Sequence, residues 1–224
     1  MCIIRYNIIE LKEVNSIMLE ELDVLIIFIE QEYKRLSNKW KKSDLYEGIN
    51  QKKKLVKDIE HDNNILTTIL NYRLFINENH LDIKLEFNRL NLKSEVNSRV
   101  KAQNSIEYKI SNYMTNKHNY GEIPLNKCFN DLYGIRIIFE ENIDFNDIKK
   151  FVDNKYNGKI KCYDASKGDY VATHIYFKEN NYSFQWELQI WDKKHYESNI
   201  ISHENYKQGY TKWEEENKGG ESFW

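Results

Sequence analysis

Apolar residues at Leu11, Val14, Met18, Leu22, Leu25, Ile29 and Tyr33 recur every three or four positions with Glu, Lys and Asn between them. This spacing predicts an amphipathic helix from Leu11 to about Lys42. Ser43 to Ile49 carries Ser, Asp and Gly and breaks the pattern, after which Leu55, Ile59, Ile65, Ile69 and Leu74 predict a second helix ending near Asn77. A helical hairpin over residues 1–78 is therefore expected to precede the rest. From Leu81 the period shortens: Leu81, Ile83, Leu85 and Phe87 alternate with Asp82, Lys84 and Glu86, the pattern of a strand.

That strand opens an αβ region expected to run over residues 79–214. Val100 falls in a short extended segment, Asn104 or Ser105 can cap a helix to about Met114, and His118 to Pro124 reads as a loop. Gly134 to Phe139 is the next strand, followed by a helix capped by Asp144 and running through Phe151. Lys159 to Tyr163, Val171 to Phe177 and Tyr182 to Ile190 are three further strands, the last two joined by a hairpin turn at Glu179-Asn180-Asn181. A final helix from about Lys194 to Trp213 leads into a tail over residues 215–224.

Composition narrows the class. The 224 residues are 41% hydrophobic and 30% charged with a single Pro, which suits one folded, helix-rich domain with decoration. A net charge of -2 argues against a surface that is a nucleic-acid footprint throughout, although a local basic patch is compatible with it. Cys2, Cys128 and Cys162 are odd in number and far apart, so neither a disulfide framework nor a zinc site is expected. There is no signal-peptide pattern, and Val24 to Ile29, the longest apolar stretch, is too short to span a bilayer. A cytoplasmic protein with reduced thiols and no membrane partner is expected.

Three polar segments carry the candidate chemistry. In the first, Arg99 and Lys101 are two apart on an extended segment, and Ser105 and Lys109 are four apart on the helix that follows. Three cations and a hydroxyl then converge on a helix N-terminus, where free N–H groups favour phosphate; a solvated basic surface would have the same composition. In the second, Asp131 lies at the mouth of a strand, Gly134 lets the backbone approach a ligand, and Arg136 sits within an apolar run. Such an Arg needs an anionic partner or a cleft, unless it lies on the solvated face of an edge strand. In the third, Glu187, Gln189 and Trp191 share one strand face and Leu188 and Ile190 the other, so Glu187 can face Asp131 across the sheet. Two carboxylates beside a polyphosphate suit magnesium.

A fourth segment sets Tyr170, Ala172 and His174 on one strand face, an aromatic platform and an imidazole separated by a small residue that leaves room for a flat ring. A packing role for Tyr170 is the alternative.

Taken in order, these segments resemble the synthetase domain of the RelA/SpoT family, most closely its single-domain small alarmone synthetases. Arg99-x-Lys101-x-x-x-Ser105-x-x-x-Lys109 is similar to the family's ATP-binding motif, Asp131-x-x-Gly134-x-Arg136 to its metal and adenine motif, and Glu187-x-Gln189 to its catalytic strand. Tyr170-x-x-x-His174 resembles the acceptor motif and His203-Glu-Asn-Tyr206-Lys207 the closing H-x-x-Y-K. The likeness covers roughly residues 80 to 210.

The resemblance implies an α+β fold of the nucleotidyltransferase-like synthetase type, a mixed five-stranded sheet flanked by helices with the N-terminal hairpin packed to one side. It implies transfer of the β,γ-pyrophosphate of ATP to the ribose 3'-hydroxyl of a guanosine nucleotide, GDP or GTP, giving (p)ppGpp and AMP. Arg99 and Arg136 would sandwich adenine, and Lys101, Ser105 and Lys109 would hold the phosphates. Asp131 and Glu187 would bind Mg2+, with Glu187 also accepting the hydroxyl proton. Tyr170 would stack on the acceptor base, with His174 and Gln189 orienting groups nearby.

Two departures fall on the acceptor side: Val171 stands where the family has Arg, and Trp191-Asp192 replaces Arg-Thr. They leave room for an altered acceptor. A toxic member transferring pyrophosphate to the 3'-end of tRNA is one alternative, for which Lys39, Lys41, Lys42, Lys52, Lys53, Lys54 and Lys57 could supply a basic surface; the same lysines would also suit a solvated helix face. A nucleotide-binding regulator without turnover is the other. Homo-oligomers through the terminal helices are compatible with the apolar stripe from Met18 to Tyr33, which would equally serve as intramolecular core.

Overall fold

The structure, a computed structural model, describes residues 2–205, with side chains described from residue 15. Helix α1 spans Cys2–Lys41. Its stripe of Met18, Leu22, Leu25, Ile26, Ile29, Tyr33, Leu36 and Trp40 is buried in the chain's own core, so the stripe is intramolecular. The side chains of Leu11 and Val14 lie outside the described residues, as do Tyr206, Lys207, the expected helix end at Trp213 and the tail.

The second expected helix divides. Val56–Glu60 forms a 3-10 turn, and α2 then runs over Asn63–Arg89, straight through the segment predicted as a strand. The alternation at 81, 83, 85 and 87 misled because residues four apart share a helix face as well as a strand face. Ile83 and Phe87 continue the buried stripe of Ile65, Ile69, Tyr72 and Ile76, whereas Leu81 and Leu85 are 66% and 49% exposed. The first strand lies further on, as β1 over Glu95–Val100.

The remaining elements are α3 (Gln103–Tyr113), the one-turn α4 (Leu125–Cys128), β2 (Tyr133–Phe139), α5 (Phe145–Tyr156), β3 (Lys161–Asp164), β4 (Thr173–Phe177) and β5 (Trp186–Asp192). A 3-10 turn at Lys193–His195 leads into α6, helical over residues 196–205. Asp144 caps α5 as expected, accepting from the Asn146 amide. Neither Asn104 nor Ser105 caps α3: Ala102 is the cap residue, and Ser105 lies inside the first turn. The β4–β5 connection is longer than the predicted hairpin, with Asn180 accepting from Tyr182 N and Ser183 Oγ.

The fold is α+β, with a mixed five-stranded sheet in the order β1-β2-β5-β4-β3. Only β2 and β5 pair in parallel; the other three pairings are antiparallel. On one face, Tyr133, Ile135 and Ile137 stand beside Trp186, Leu188 and Ile190, which stand beside Phe177, Ile175 and Thr173. This face forms the main core with residues of α1 and α2: Trp186 Nε1 donates to Tyr72 Oη at 2.9 Å, and Tyr33 Oη donates to the Phe184 carbonyl at 3.0 Å. Burial of this apolar face leaves the opposite face of the sheet to carry polar side chains.

Candidate active site

Residues directly opposite one another in a sheet point to the same side, and the register builds two rows across the polar face. One row reads Arg99, Gly134, Glu187, Tyr176, Lys161; the next reads Asn97, Arg136, Gln189, His174, Tyr163. All three members of the alternation on β5, Glu187, Gln189 and Trp191, fall on this face. They are nevertheless buried, because neighbouring side chains cover them.

The rows floor a cleft of about 600 Å³. Arg99, Lys101, Ser105, Lys109, Asp131, Tyr170, His174, Glu187 and Gln189 all line it; Arg136 is not part of the lining, and stands beside Gln189 in the sheet, donating to its Oε1 from Nε and NH2 at 3.2 and 3.0 Å. Segments separated by up to 90 residues in sequence are thereby brought to one place. The cleft also takes in residues that the motifs did not single out, among them Asn130, Tyr176 and Ser202. Tyr176 had a legible signal: it is two residues beyond His174 on a strand, hence on the same face.

Asp131 follows the buried anchors Cys128 and Phe129 and precedes Leu132 and Tyr133, so its position is held by packing on both sides. Its two oxygens accept from Lys101 Nζ at 2.6 Å and Lys109 Nζ at 3.0 Å. The lysines come from the end of β1 and the middle of α3, and the Lys101 backbone is held by its N–H to Leu132 O and by Arg73 Nε to its own carbonyl. Burial alone would raise the Asp131 carboxyl, but the two ammonium groups outweigh it and hold it well below the ordinary carboxylate range. Burial pushes Lys101 down, while Asp131 holds Lys109 above its ordinary value in spite of burial. Two buried ammonium groups share one carboxylate, which leaves an excess positive charge facing the cleft.

Glu187 is the second carboxylate. Oε1 accepts from His174 Nδ1 at 3.0 Å and Tyr176 Oη at 2.9 Å, and Oε2 accepts from Gln189 Nε2 at 2.8 Å. Burial works against ionisation, yet His174 and Gln189 hold the carboxyl below its ordinary value, with the charge of Asp131 opposing them. His174 Nε2 in turn meets Tyr170 Oη at 2.9 Å.

Asp131 and Glu187 are the carboxylates that the cleft could offer to a hard cation. Among the described residues no three His, Cys, Asp or Glu side chains form a group that could hold a metal ion. Two carboxylates with spare lone pairs are what magnesium uses when phosphate oxygens and water complete its shell.

Arg136 is stacked on Trp191, its guanidinium carbon 3.4 Å from the ring centroid, and His203 also stacks on Trp191, with its Nε2 3.5 Å from Arg136 NH2. Burial, and secondarily the neighbouring Arg99, lowers the Arg136 guanidinium to about 10. With one face on Trp191 and two donors on Gln189, Arg136 is a fixed plate. A cation–π contact of this kind is worth about 0.5–2 kcal/mol, so Trp191→Leu, which also removes a buried ring, is expected to cost about 2–4 kcal/mol of folding stability and Trp191→Phe less. Urea unfolding of the three proteins checks this.

Gly134 is extended within β2, in the strand expected from Gly134 to Phe139, and what lies over it is Arg99: a Cβ there would stand 3.8 Å from Arg99 Cγ and Nε, an ordinary contact. Gly134→Ala should therefore fold within about 1 kcal/mol of the parent by urea unfolding. Tyr170 is not on β4, which begins at Thr173, but in the turn before it. Ala172 leaves no space for a ring, because it packs with Ile138 and Trp191 in a small apolar cluster.

The lysines of the helical region are largely engaged. Lys41 pairs with Glu179, Lys54 with Asp62 and Lys57 with Glu122, and Lys39 donates to Asn79. Among the described residues, no helix is long and apolar enough to cross a membrane.

No protein-family model matches the sequence, and no curated protein matches it. Among solved structures, the chain is similar to small alarmone synthetase 1 from Bacillus subtilis, at 21% identity over 66% of this chain and 82% of that one, with a TM-score of 0.38. A second structure of that synthetase, bound to AMPCPP, is similar at 21% identity over the same shares, with a TM-score of 0.36.

Proposed function

We propose that this protein is an ATP:nucleotide 3'-pyrophosphokinase that transfers the β,γ-pyrophosphate of ATP to the ribose 3'-hydroxyl of GDP or GTP. The observation that carries the reading is the pairing, in one cleft, of the cationic cluster Lys101–Asp131–Lys109 with the hydrogen-bonded carboxylate Glu187. The first neutralises a polyphosphate; the second handles a proton.

In the reaction, the 3'-oxygen of the acceptor bonds to the β-phosphorus of ATP, the bond from that phosphorus to the α,β-bridging oxygen breaks, and AMP leaves. The hydroxyl proton passes to Glu187. Lys101, Ser105 and Lys109 bind the phosphates at the start of α3, where the positive end of the helix dipole adds to the attraction. Arg99 and the Arg136 plate take adenine between them. Tyr170 presents its ring to the acceptor base, and His174 and Gln189 hold Glu187 in one orientation. Asp131 and Glu187 would hold magnesium, which supplies positive charge to the triphosphate oxygens. Positioning and charge neutralisation account for most of such catalysis, since a ribose hydroxyl is a weak nucleophile and the triphosphate repels it until its charge is balanced.

The test offers GDP, GTP, AMP and deacylated tRNA separately to the purified protein with labelled ATP and magnesium. Label on the guanosine nucleotides with equimolar AMP is expected. Transfer to tRNA alone would replace the nucleotide reading, and absence of AMP with every acceptor would end the enzymatic one.

A further inference from the structure

The hairpin that carries Tyr170 has an open edge. Within it, Ala165 N donates to Ala172 O, and Lys167 and Tyr170 exchange both backbone hydrogen bonds, so these residues face β3. Alternation turns the N–H and C=O of Val171 the other way, toward β5. The last β4–β5 pair is Thr173 with Ile190, and continued register would set Val171 against Asp192. Asp192 ends β5, paired with Phe139 on the β2 side but not with Val171, and the chain turns there into the 3-10 helix, where the Asp192 side chain accepts from His195 N at 2.9 Å.

Asn199 of α6 fills the gap. It is fully buried, its Oδ1 accepts from Val171 N at 2.8 Å, and its Nδ2 donates to Val171 O at 2.8 Å. A primary amide carries a donor and an acceptor side by side, as a peptide group does, so the side chain completes the edge as one more residue of strand would. Asp would lack the donor.

We infer that Asn199 is a positioning residue for the acceptor half of the site: it ties α6 to the turn that carries Tyr170 and so sets the aromatic platform against His174 and Glu187. This rests on the proposed pyrophosphokinase reading for its kinetic part only.

Asn199→Ala and Asn199→Asp test it, with amide hydrogen exchange and steady-state kinetics on the full chain. The Val171 amide is expected to be protected in the parent and to exchange at least about tenfold faster in Asn199→Ala, where its acceptor is gone. The KM for the acceptor nucleotide should rise about tenfold while the KM for ATP stays within about twofold. Unchanged Val171 exchange would overturn the clamp. Faster exchange with equal rises in both KM values would overturn the positioning role, because a general loosening of the fold moves both. If the parent transfers pyrophosphate to no nucleotide, the functional reading fails by itself and the exchange measurement still decides the clamp. Asn199→Asp should show the same split and a lower melting temperature, since it buries a charge beside an unpaired carbonyl.

Discussion

Glu187→Gln is expected to reduce pyrophosphate transfer by about a thousandfold or more while the affinity for ATP changes by less than about threefold. The separation follows from the network. Gln189 is oriented, its Nε2 toward Glu187 Oε2 and its Oε1 toward Arg136. A glutamine at 187 can keep its oxygen against Gln189 and place its NH2 against Tyr176 Oη and His174 Nδ1. Both of those partners can accept: the phenol by rotating its hydrogen, the imidazole by changing tautomer. Gln189 then need not turn, and the Arg136 plate is preserved. What is lost is the carboxylate, which under the proposed reading accepts the hydroxyl proton and would be one of two ligands to magnesium. Release of labelled AMP, set beside a calorimetric titration with ATP, measures the two effects separately. Normal turnover in this variant would remove Glu187 from the chemistry.

Asp131→Asn should cost about 3–5 kcal/mol of folding stability, the penalty for leaving buried charge without its partner. Lys101 and Lys109 are 8% and 10% exposed at the side chain and both donate to this one carboxylate. An amide cannot neutralise them, and its NH2 would point at an ammonium group. At about 2–4 °C per kcal/mol for a chain of this size, the melting temperature should fall by about 6–20 °C. The variant should then be stabilised more strongly than the parent by triphosphate, because the ligand brings the negative charge that the substitution removed. Replacing Lys101 by Met in the same chain should recover part of the loss. Thermal melts of the parent, the single and the double variant, with and without ATP, give all three results. A melting temperature within about 2 °C of the parent's would show that the ion cluster is solvated rather than buried.

Much of this site is legible in the amino-acid sequence. On β5 the alternation alone separates Glu187 and Gln189 from Leu188 and Ile190, because a strand has no other way to dispose successive side chains. Lys101 and Lys109 are legible for a similar reason, as cations straddling the start of a helix. The strand expected over Leu81 to Phe87 shows the limit of such reasoning. Seven residues of strict alternation also satisfy the i, i+4 spacing of a helix, and whether Leu81 and Leu85 face solvent or a second layer depends on neighbours that lie far away in sequence.

Taken by itself, the chain determined which side chains share a face and where charge is concentrated, because these follow from local backbone geometry. Only the tertiary structure decided which faces meet. It set Arg136 against Gln189 and Trp191, gave Asp131 to two lysines rather than leaving it open, placed Tyr176 on Glu187, and put Asn199 at the edge of the Tyr170 turn. Each of these contacts except that of Arg136 with Trp191 is a partly buried hydrogen bond or ion pair, and all join segments brought together by strand register and core packing. Local pattern carries no record of such register, and so none of them.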